Sequence, residues 1–435
     1  MKGITLAFAS FLLLFTIAAP ALAAPKIVLP VRSTWDADMI NSPDAGKTGA
    51  GVYVAVLDTG LVPNWRNYFP TDRIATQLGK GFMEEVTVDR KTGELVEAGF
   101  VHVTSWVGSI ESTHGTHVTS TIIGYNYYAP SDIYAGFPNL TPVYVEGIAP
   151  GATIIPVKVL ADYVLPGYAE GKNLVFGTDN MVAAGINYAT DLKIAGYSPM
   201  VISMSLGGDE LADVEKAAID RAIANGVIVV AAAGNEGTAG MSYPGAYAPV
   251  ISSGACGWKY EWYWPGPTAP PPRYRLWWLQ DSTYGYNDIP EPTPASEVYI
   301  TTFSSRQKAG QQLDVVAPGS WVRGPMPDGY GHLPWWSKGL GWAYSTPGLT
   351  NFYYVGGTSM ATPHVSAVAA LMLQKNPTLT QTQVEFKMKS TALPIAPGSM
   401  TVYDLSPTPG FYPYSWGSDA TGAGLIQADA AVAAA

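Results

Sequence analysis

Three runs of apolar residues, each ending at a polar residue or a glycine, constrain the fold of this chain most strongly. They are VYVAVLDTG from Val52 to Gly60, VISMSLGG from Val201 to Gly208, and VIVVAAAGN from Val227 to Asn235. Such runs predict strands that are buried on both faces of a sheet. The segment from Leu211 to Asn225 alternates charged residues with alanine at helical spacing, and Gly226 is suited to end that helix. Strands that alternate with helices predict an α/β domain with a central parallel sheet and helices on both faces.

A later stretch, GGTSMATPHV, places a serine at the start of a predicted helix. Thr358 is a residue type that caps helices, and Ser359 follows on the first turn, where the field of the helix favours negative charge. Pro363 lies near that turn, and apolar residues continue the helix at Ala361, Val365, Val368 and Met372. Taken alone, the pattern is equally typical of a buried core helix with an ordinary capping pair.

Two upstream residues are of the types that a nucleophilic serine requires. A hydroxyl needs a general base, and the base needs a group that orients it. Asp58 ends the first apolar run, and His114 opens HGTHV, a short helical pattern. With aspartate, histidine and serine in this order, the chain resembles the subtilisin-like serine proteases, the subtilases. The resemblance implies that Ser359 is the nucleophile, His114 the base and Asp58 the group that orients the base.

The HxxH spacing of His114 and His117 also suggests a metal pair. No third cluster of ligands follows, however, and the HExxH motif of zinc proteases is absent. We therefore expect no metal here, and the resemblance makes His117 a packed neighbour of the base.

Asn235 ends the third apolar run. Alone it would be a residue that simply terminates a strand. The segment AAAGN, followed by SYPGAYAPVIS, matches the subtilases over a long span. The resemblance implies that the side-chain amide of Asn235 stabilises the oxyanion of the tetrahedral intermediate, together with the backbone N–H of Ser359.

The resemblance also implies how a substrate is held. In subtilases an extended peptide adds as a strand to an unpaired backbone edge, which corresponds here to Ser205, Leu206 and Gly207. The pocket for the residue before the scissile bond is then formed by Ala233 and Gly234 in one wall, Ser242 at the floor and Glu236 near the rim. A small floor and an acidic rim predict a roomy pocket that favours a basic or polar side chain.

Charge and the first residues bear on location and partners. Lys plus Arg number 24 against 34 Asp plus Glu, a net charge of −10, which argues against nucleic acid or an anionic membrane as the main partner. Residues 1–23 combine Lys2, an apolar core and an Ala-Leu-Ala cleavage site, and so predict a signal peptide and a secreted, extracellular protein. A membrane anchor is the alternative, but the apolar run is short and ends at Pro20.

Cys256 is the single cysteine, so we expect it to be buried and no disulfide to form.

The domain organisation follows from the extent of the resemblance. Residues 24–48 are interpreted as a short polar arm, and residues 49–435 as the peptidase domain. Subtilases usually carry a folded inhibitory propeptide after the signal, and this arm is too short for one. Two stretches rich in tryptophan, proline and glycine, near 257–299 and 325–349, are insertions relative to the family. They are interpreted as surface loops, or as a rim or patch that binds a partner such as a separate inhibitor.

The sequence thus predicts a three-layer, subtilisin-like α/β fold with a central, mostly parallel β-sheet flanked by helices. It predicts a secreted serine endopeptidase that acts on protein or peptide substrates and needs no cofactor for its chemistry. Structural calcium is common in the family, but no acidic loop motif for it is legible in this chain. Two alternatives stay open: a catalytically restrained binding module on the same fold, and an enzyme that joins or cyclises peptides.

Overall fold

The structure, a computed structural model, describes residues 31–89, 91–109, 113–127, 143–165, 173–261, 289–290, 292–327, 352–404 and 410–435. The predicted signal peptide lies outside these residues, as do most of the two predicted insertions. No helix in the described part of the chain is long and apolar enough to cross a membrane.

The helices are α1 (Trp35–Met39), α2 (Thr113–Ile123), α3 (Asp179–Ile194), α4 (Asp213–Ala224), α5 (Thr358–Lys375), α6 (Gln381–Thr391) and α7 (Ala428–Ala434). The strands are β1 (Val31–Arg32), β2 (Tyr53–Asp58), β3 (Lys80–Val88), β4 (Leu95–Thr104), β5 (Gly124–Tyr127), β6 (Val143–Glu146), β7 (Thr153–Lys158), β8 (Ala161–Val164), β9 (Asn173–Phe176), β10 (Met200–Met204), β11 (Ile228–Ala232), β12 (Ile251–Trp258), β13 (Val298–Ile300), β14 (Val315–Pro318), β15 (Val322–Pro325), β16 (Phe352–Val355), β17 (Gly398–Asp404) and β18 (Gly410–Trp416).

A nine-stranded sheet forms the centre of the molecule. Its order is β13-β12-β11-β10-β2-β7-β3-β4, and β14 pairs with β12. Neighbouring strands are parallel along this order from β12 to β3, and β14 is parallel to β12. Only the outer pairs β12–β13 and β3–β4 are antiparallel. The inner strands β10 and β11 are buried along their whole length, as their continuous apolar runs predict.

Helices cover both faces of this sheet, which confirms the predicted three-layer α/β fold. Residues of α3 and α4 belong to the apolar core on one face, and residues of α2, α5, α6 and α7 to the core on the other. The helix α4 ends next to Gly226, which has a φ of +73° and so fits the predicted role of that glycine.

Helix α5 is buried almost all round rather than along a single stripe. It begins at Thr358, with Gly357 as the residue before the first turn, so the interpretation of Thr358 as the cap residue is wrong by one position. Alanines and a serine line the faces that the predicted stripe leaves out, and their small side chains let the helix pack against β10, β11 and β12.

The segment interpreted as a polar arm is part of the core where the structure describes it. Trp35, Met39 and Ile40 are at most 1% exposed, and every residue of the short helix α1 is buried. Asp36 of the same helix lies 3.0 Å from the Nε2 atom of His364 in α5, and the Nδ1 atom of His364 donates to the carbonyl of Met360. A buried ion pair thus ties the start of the described chain to helix α5.

The ends of the first predicted insertion belong to the central sheet. Trp258 closes β12 and pairs with Val298 of β13, and its indole N–H donates to Glu297 at 2.9 Å. Residues 262–288 and 291 of this stretch, and 328–349 of the second, lie outside the described residues.

Asp36→Ala is expected to lower the free energy of unfolding by about 3 kcal/mol, because it leaves the buried His364 without its partner. Burial by itself raises the pKa of Asp36, but the hydrogen bond and charge of His364 lower it below its ordinary value. The stabilisation is therefore present above the ordinary pKa of an aspartate and is lost as the pH falls through the lowered value. Denaturant unfolding at several pH values measures both effects. The exposed Asp44→Ala serves as the control, and an equal loss in both variants would contradict the prediction.

Candidate active site

The predicted site residues come together at one edge of the central sheet. Asp58 is the last residue of β2, Ser205 follows β10, and Asn235 lies just beyond β11. These three strands are neighbours and parallel, so their carboxyl ends open at the same edge. Helices α2 and α5 bring His114 and Ser359 to that edge.

Asp58 is fully buried and holds the ring of His114. The Nδ1 atom of His114 lies 2.9 Å from both carboxylate oxygens, and the backbone N–H of Thr59 donates to Oδ1 at 2.6 Å. An ionised carboxylate only accepts hydrogen bonds, so the proton of a neutral His114 ring sits on Nδ1. The Nε2 atom of His114 is then left with a free lone pair, which is what a general base needs.

Close approach of α2 to β2 depends on a glycine. A Cβ atom at Gly115 would lie 2.4 Å from the carbonyl oxygen of Gly60, which real Cβ contacts do not allow. The backbone N–H of Gly115 also donates to the hydroxyl of Thr59 at 2.9 Å. The glycine that follows His114 therefore allows the short distance between Asp58 and His114.

Two opposing effects set the protonation of His114. Partial burial disfavours the charged ring and lowers its pKa, whereas the charge of Asp58 and the hydrogen bond to it raise the pKa. The net pKa of His114 lies above its ordinary value. The imidazolium that forms when His114 takes up a proton is thus stabilised by Asp58.

Ser359 is held through a gap in the hydrogen bonding of its own helix. Pro363 has no N–H, so the carbonyl of Ser359 lacks the helical partner four residues on. The hydroxyl of Ser205 donates to this carbonyl at 2.8 Å, and the hydroxyl of Ser359 donates to the backbone oxygen of Ser205 at 3.3 Å. Transfer of the Ser359 proton to His114 therefore requires the hydroxyl to turn away from Ser205.

The side chain of Asn235 is oriented by Thr358. The backbone N–H of Thr358 donates to the side-chain oxygen of Asn235 at 2.9 Å, and the hydroxyl of Thr358 does so at 3.0 Å. Because a backbone N–H can only donate, the atom that faces it must be the amide oxygen. The amide N–H₂ of Asn235 then points away from Thr358 and is available to a ligand.

Six of the predicted site residues line an open cavity of about 640 Å³. They are His114, Ser205, Leu206, Gly207, Asn235 and Ser359. The backbone groups of Leu206 and Gly207 make no hydrogen bond to any described residue, although the adjacent Gly208 exchanges two with Tyr243 at 2.8 Å each. This short edge next to the cavity is therefore open to pairing with an extended chain.

The other predicted pocket residues do not line this cavity. Ala233, Gly234 and Ser242 are buried, while Glu236 is exposed. The carboxylate of Glu236 accepts hydrogen bonds of 2.8 Å from the hydroxyls of Ser242 and Ser305. Glu236 is thus already engaged by neutral donors within the protein.

Four residues hold the site through contacts that the sequence does not reveal: Thr59, Thr358, Pro363 as the source of the free carbonyl, and Ser305. Thr59, Thr358 and Pro363 lie in or next to stretches that the sequence does reveal, but all four residues make or allow contacts between residues that are distant in the chain. Ser305, for example, acts on Glu236, 69 residues before it.

His117 and Cys256 are structural. His117 is fully buried, its Nε2 atom donates to the carbonyl of Val322 at 3.1 Å, and burial, the main cause, together with the charge of His114 lowers its pKa to about 4. Cys256 is buried and free, and burial raises its pKa. Within the described ranges, no group of three or more His, Cys, Asp or Glu side chains is arranged to hold a metal ion. Structural calcium stays a prediction.

The model of the Subtilase family matches residues 49–410. This chain belongs to the subtilase family. Subtilisin E of Bacillus subtilis (strain 168) is 29% identical to it over 351 residues, which make up 80% of this chain and 62% of that protein. This subtilase thus spans less than two thirds of that relative. Subtilisin BL of Lederbergia lenta is 27% identical over 408 residues, 91% of this chain and 97% of that protein.

The solved structures confirm the fold of this subtilase. Sphericase superposes on it with a TM-score of 0.53 at 22% identity, over 91% of this chain and 97% of that one. The predicted subtilisin-like, three-layer architecture is therefore correct.

Proposed function

We propose that this subtilase is a secreted serine endopeptidase that cleaves peptide bonds through an acyl-enzyme intermediate. The observation that carries the proposal is the contact of His114 with the buried Asp58, which frees Nε2 of the ring beside the cavity that Ser359 lines. Family membership supports serine endopeptidase chemistry in general, and the local geometry of the chain supports the assignment of the three residues.

The proposed reaction starts with attack of the Ser359 oxygen on the carbonyl carbon of the peptide bond. The Nε2 atom of His114 accepts the hydroxyl proton, and Asp58 stabilises the resulting imidazolium. His114 then gives the proton to the leaving nitrogen, the C–N bond breaks, and an ester to Ser359 remains. Water, deprotonated by His114, attacks this ester and releases the acid, which restores the serine hydroxyl.

The oxyanion of each tetrahedral intermediate is stabilised by the amide of Asn235 and the backbone N–H of Ser359. The two hydrogen bonds from Thr358 fix the Asn235 side chain before substrate arrives, so little reorganisation is needed during the reaction. The segment Leu206–Gly207 pairs with the substrate backbone, and the substrate class is proteins and peptides.

Ser359→Ala is expected to reduce hydrolysis of an unstructured protein substrate to the background rate, because the ester to Ser359 can no longer form.

Asn235→Ala is expected to lower kcat by about 10² to 10³, the range found for the oxyanion asparagine of a subtilisin, with little change in KM. Initial rates and circular dichroism of the purified variants measure activity and folding.

Product masses in the same experiment separate the proposal from its alternatives. Hydrolysis adds the mass of one water per cleaved bond, whereas joining or cyclisation of peptides does not. Ligated or cyclic products as the main species would show that the chain joins peptides rather than hydrolysing them. Binding without any turnover by the folded wild-type chain would favour a binding module.

The pH dependence follows from the raised pKa of His114. The base must be neutral, so kcat/KM should rise with pH, with a midpoint above the ordinary histidine value of 6.5. Asp58→Asn removes the charge that raises this pKa and leaves only the burial that lowers it. The midpoint should therefore move to lower pH, and the plateau rate should fall by about 10⁴. A midpoint that does not move in Asp58→Asn would contradict this account of the base.

A further inference from the structure

One part of the wall of the catalytic cavity is acidic. Asp179, Glu210 and Glu215 line the same cavity as His114 and Ser359. Asp179 opens α3, and Glu215 lies in the first turn of α4. No lysine or arginine is among the described residues that line the cavity.

Glu215 stands out because it is buried without a partner. Its side chain shares the inward face of α4 with Ala218, Ile219 and Ala222, and the residue is only 3% exposed. Its Oε1 atom makes no hydrogen bond within the described structure. A buried carboxylate without a partner is costly, and natural proteins pair such groups. An unpaired acid that faces a substrate cavity is therefore an acceptor that a ligand can satisfy.

The pKa of Glu215 in the absence of a ligand fits this interpretation. Burial, and to a smaller extent the charge of Asp179, raises the pKa of Glu215 to about 7. Burial and the charge of Glu210 likewise raise the pKa of Asp179. Asp179 thus experiences repulsion with both Glu210 and Glu215, and a cation among the three acids would relieve it.

The surrounding wall suits a long basic side chain. Leu160, Phe176, Val182 and Leu206 line the cavity together with the acids. The methylene stem of a lysine or arginine packs on such apolar surface while its charged end reaches the carboxylates. A bare metal ion is the alternative cation, but the described residues contain no cluster of ligands arranged for one.

We propose that the wall formed by Asp179, Glu210 and Glu215 binds a lysine or arginine side chain of the substrate, at a position other than the one beside the scissile bond. The proposal rests on the peptidase function and names a determinant of its specificity. It is separate from the predicted pocket at Glu236, whose carboxylate is already engaged by Ser242 and Ser305. The basic side chain supplies the hydrogen-bond donor that Glu215 lacks.

The test is a binding scan with the full chain carrying Ser359→Ala, which does not depend on turnover. One lysine is moved through every position of an otherwise neutral peptide, and each peptide is compared with its norleucine counterpart by calorimetry. At pH 8 one position should favour lysine by about tenfold in Kd. Glu215→Gln should reduce that preference to within about twofold. Asp213→Asn, which removes an exposed carboxylate from the same turn of α4, should leave it unchanged.

The preference should also grow as the pH rises through about 7, because Glu215 becomes ionised. Asp179, Glu210 and His114 face the same cavity, and their charges also act on the lysine, so the rise of the preference near pH 7 is assigned to Glu215 by its loss in Glu215→Gln. Asp179→Asn gives a second test if Glu215→Gln does not fold, and it should weaken the preference as well. A parallel scan with added Ca²⁺ shows whether a metal ion competes for the wall.

Equal affinity for lysine and norleucine at every position would overturn the proposal, as would a preference that survives both substitutions. Hydrolysis of neutral peptides by the wild-type chain without any lysine preference would overturn this inference alone. A lysine preference in a folded wild-type chain that cleaves nothing would overturn the peptidase function and leave the acidic wall intact.

Discussion

The parallel pairing of β2, β10 and β11 is the constraint on which the site depends. Because the three strands run in the same direction, their carboxyl ends share one edge, and Asp58, Ser205 and Asn235 meet there although they are far apart in the chain. The strands are buried on both faces, so a shift of one residue in any of them would move polar groups into the core. The sheet therefore fixes the depth at which each functional side chain leaves the core.

Helix α5 is then held against that edge at several points. Ser205 satisfies the carbonyl of Ser359 that Pro363 leaves free, Thr358 binds the side chain of Asn235, and His364 pairs with Asp36 of α1. The first two contacts involve residues that we assign to catalysis or to substrate binding. Ser359 and Asn235 are thus each held by a neighbouring residue of the candidate site. Such mutual support is what preorganisation of an active site requires.

The same edge explains how one cavity would serve both the proposed chemistry and the recognition of substrate. The loop after β10 provides Leu206 and Gly207, whose backbone groups are open to an extended chain, and the helix that follows carries Glu215 into the cavity wall. The pattern of the apolar face of α4 predicts an alanine or a leucine at position 215. A carboxylate at this position costs stability, and we interpret it as retained for binding.

Much of this arrangement could be predicted from the sequence. Asp58, His114 and Asn235 lie at the ends of continuous apolar runs or at the start of a helical pattern, where local signals are strong. The pattern of the helix that carries Ser359 is equally clear, although it places the cap residue at Thr358, one position too late. Most of the missing features are contacts between distant residues, such as Asp36 with His364, 328 positions apart, for which local periodicity carries no signal. The interpretation of residues 24–48 as a polar arm misses the burial of Trp35 and Met39, because a single helical turn is too short to show a pattern.

The most direct test of the assigned nucleophile is covalent labelling of the folded wild-type chain with a fluorophosphonate probe, followed by mass mapping of the modified peptide. The account predicts stoichiometric modification at Ser359, no modification in Ser359→Ala, and no modification of the heat-unfolded chain, in which His114 and Asp58 no longer activate the hydroxyl. Modification at another serine, or none at all on a chain that circular dichroism shows to be folded, would contradict the proposed triad.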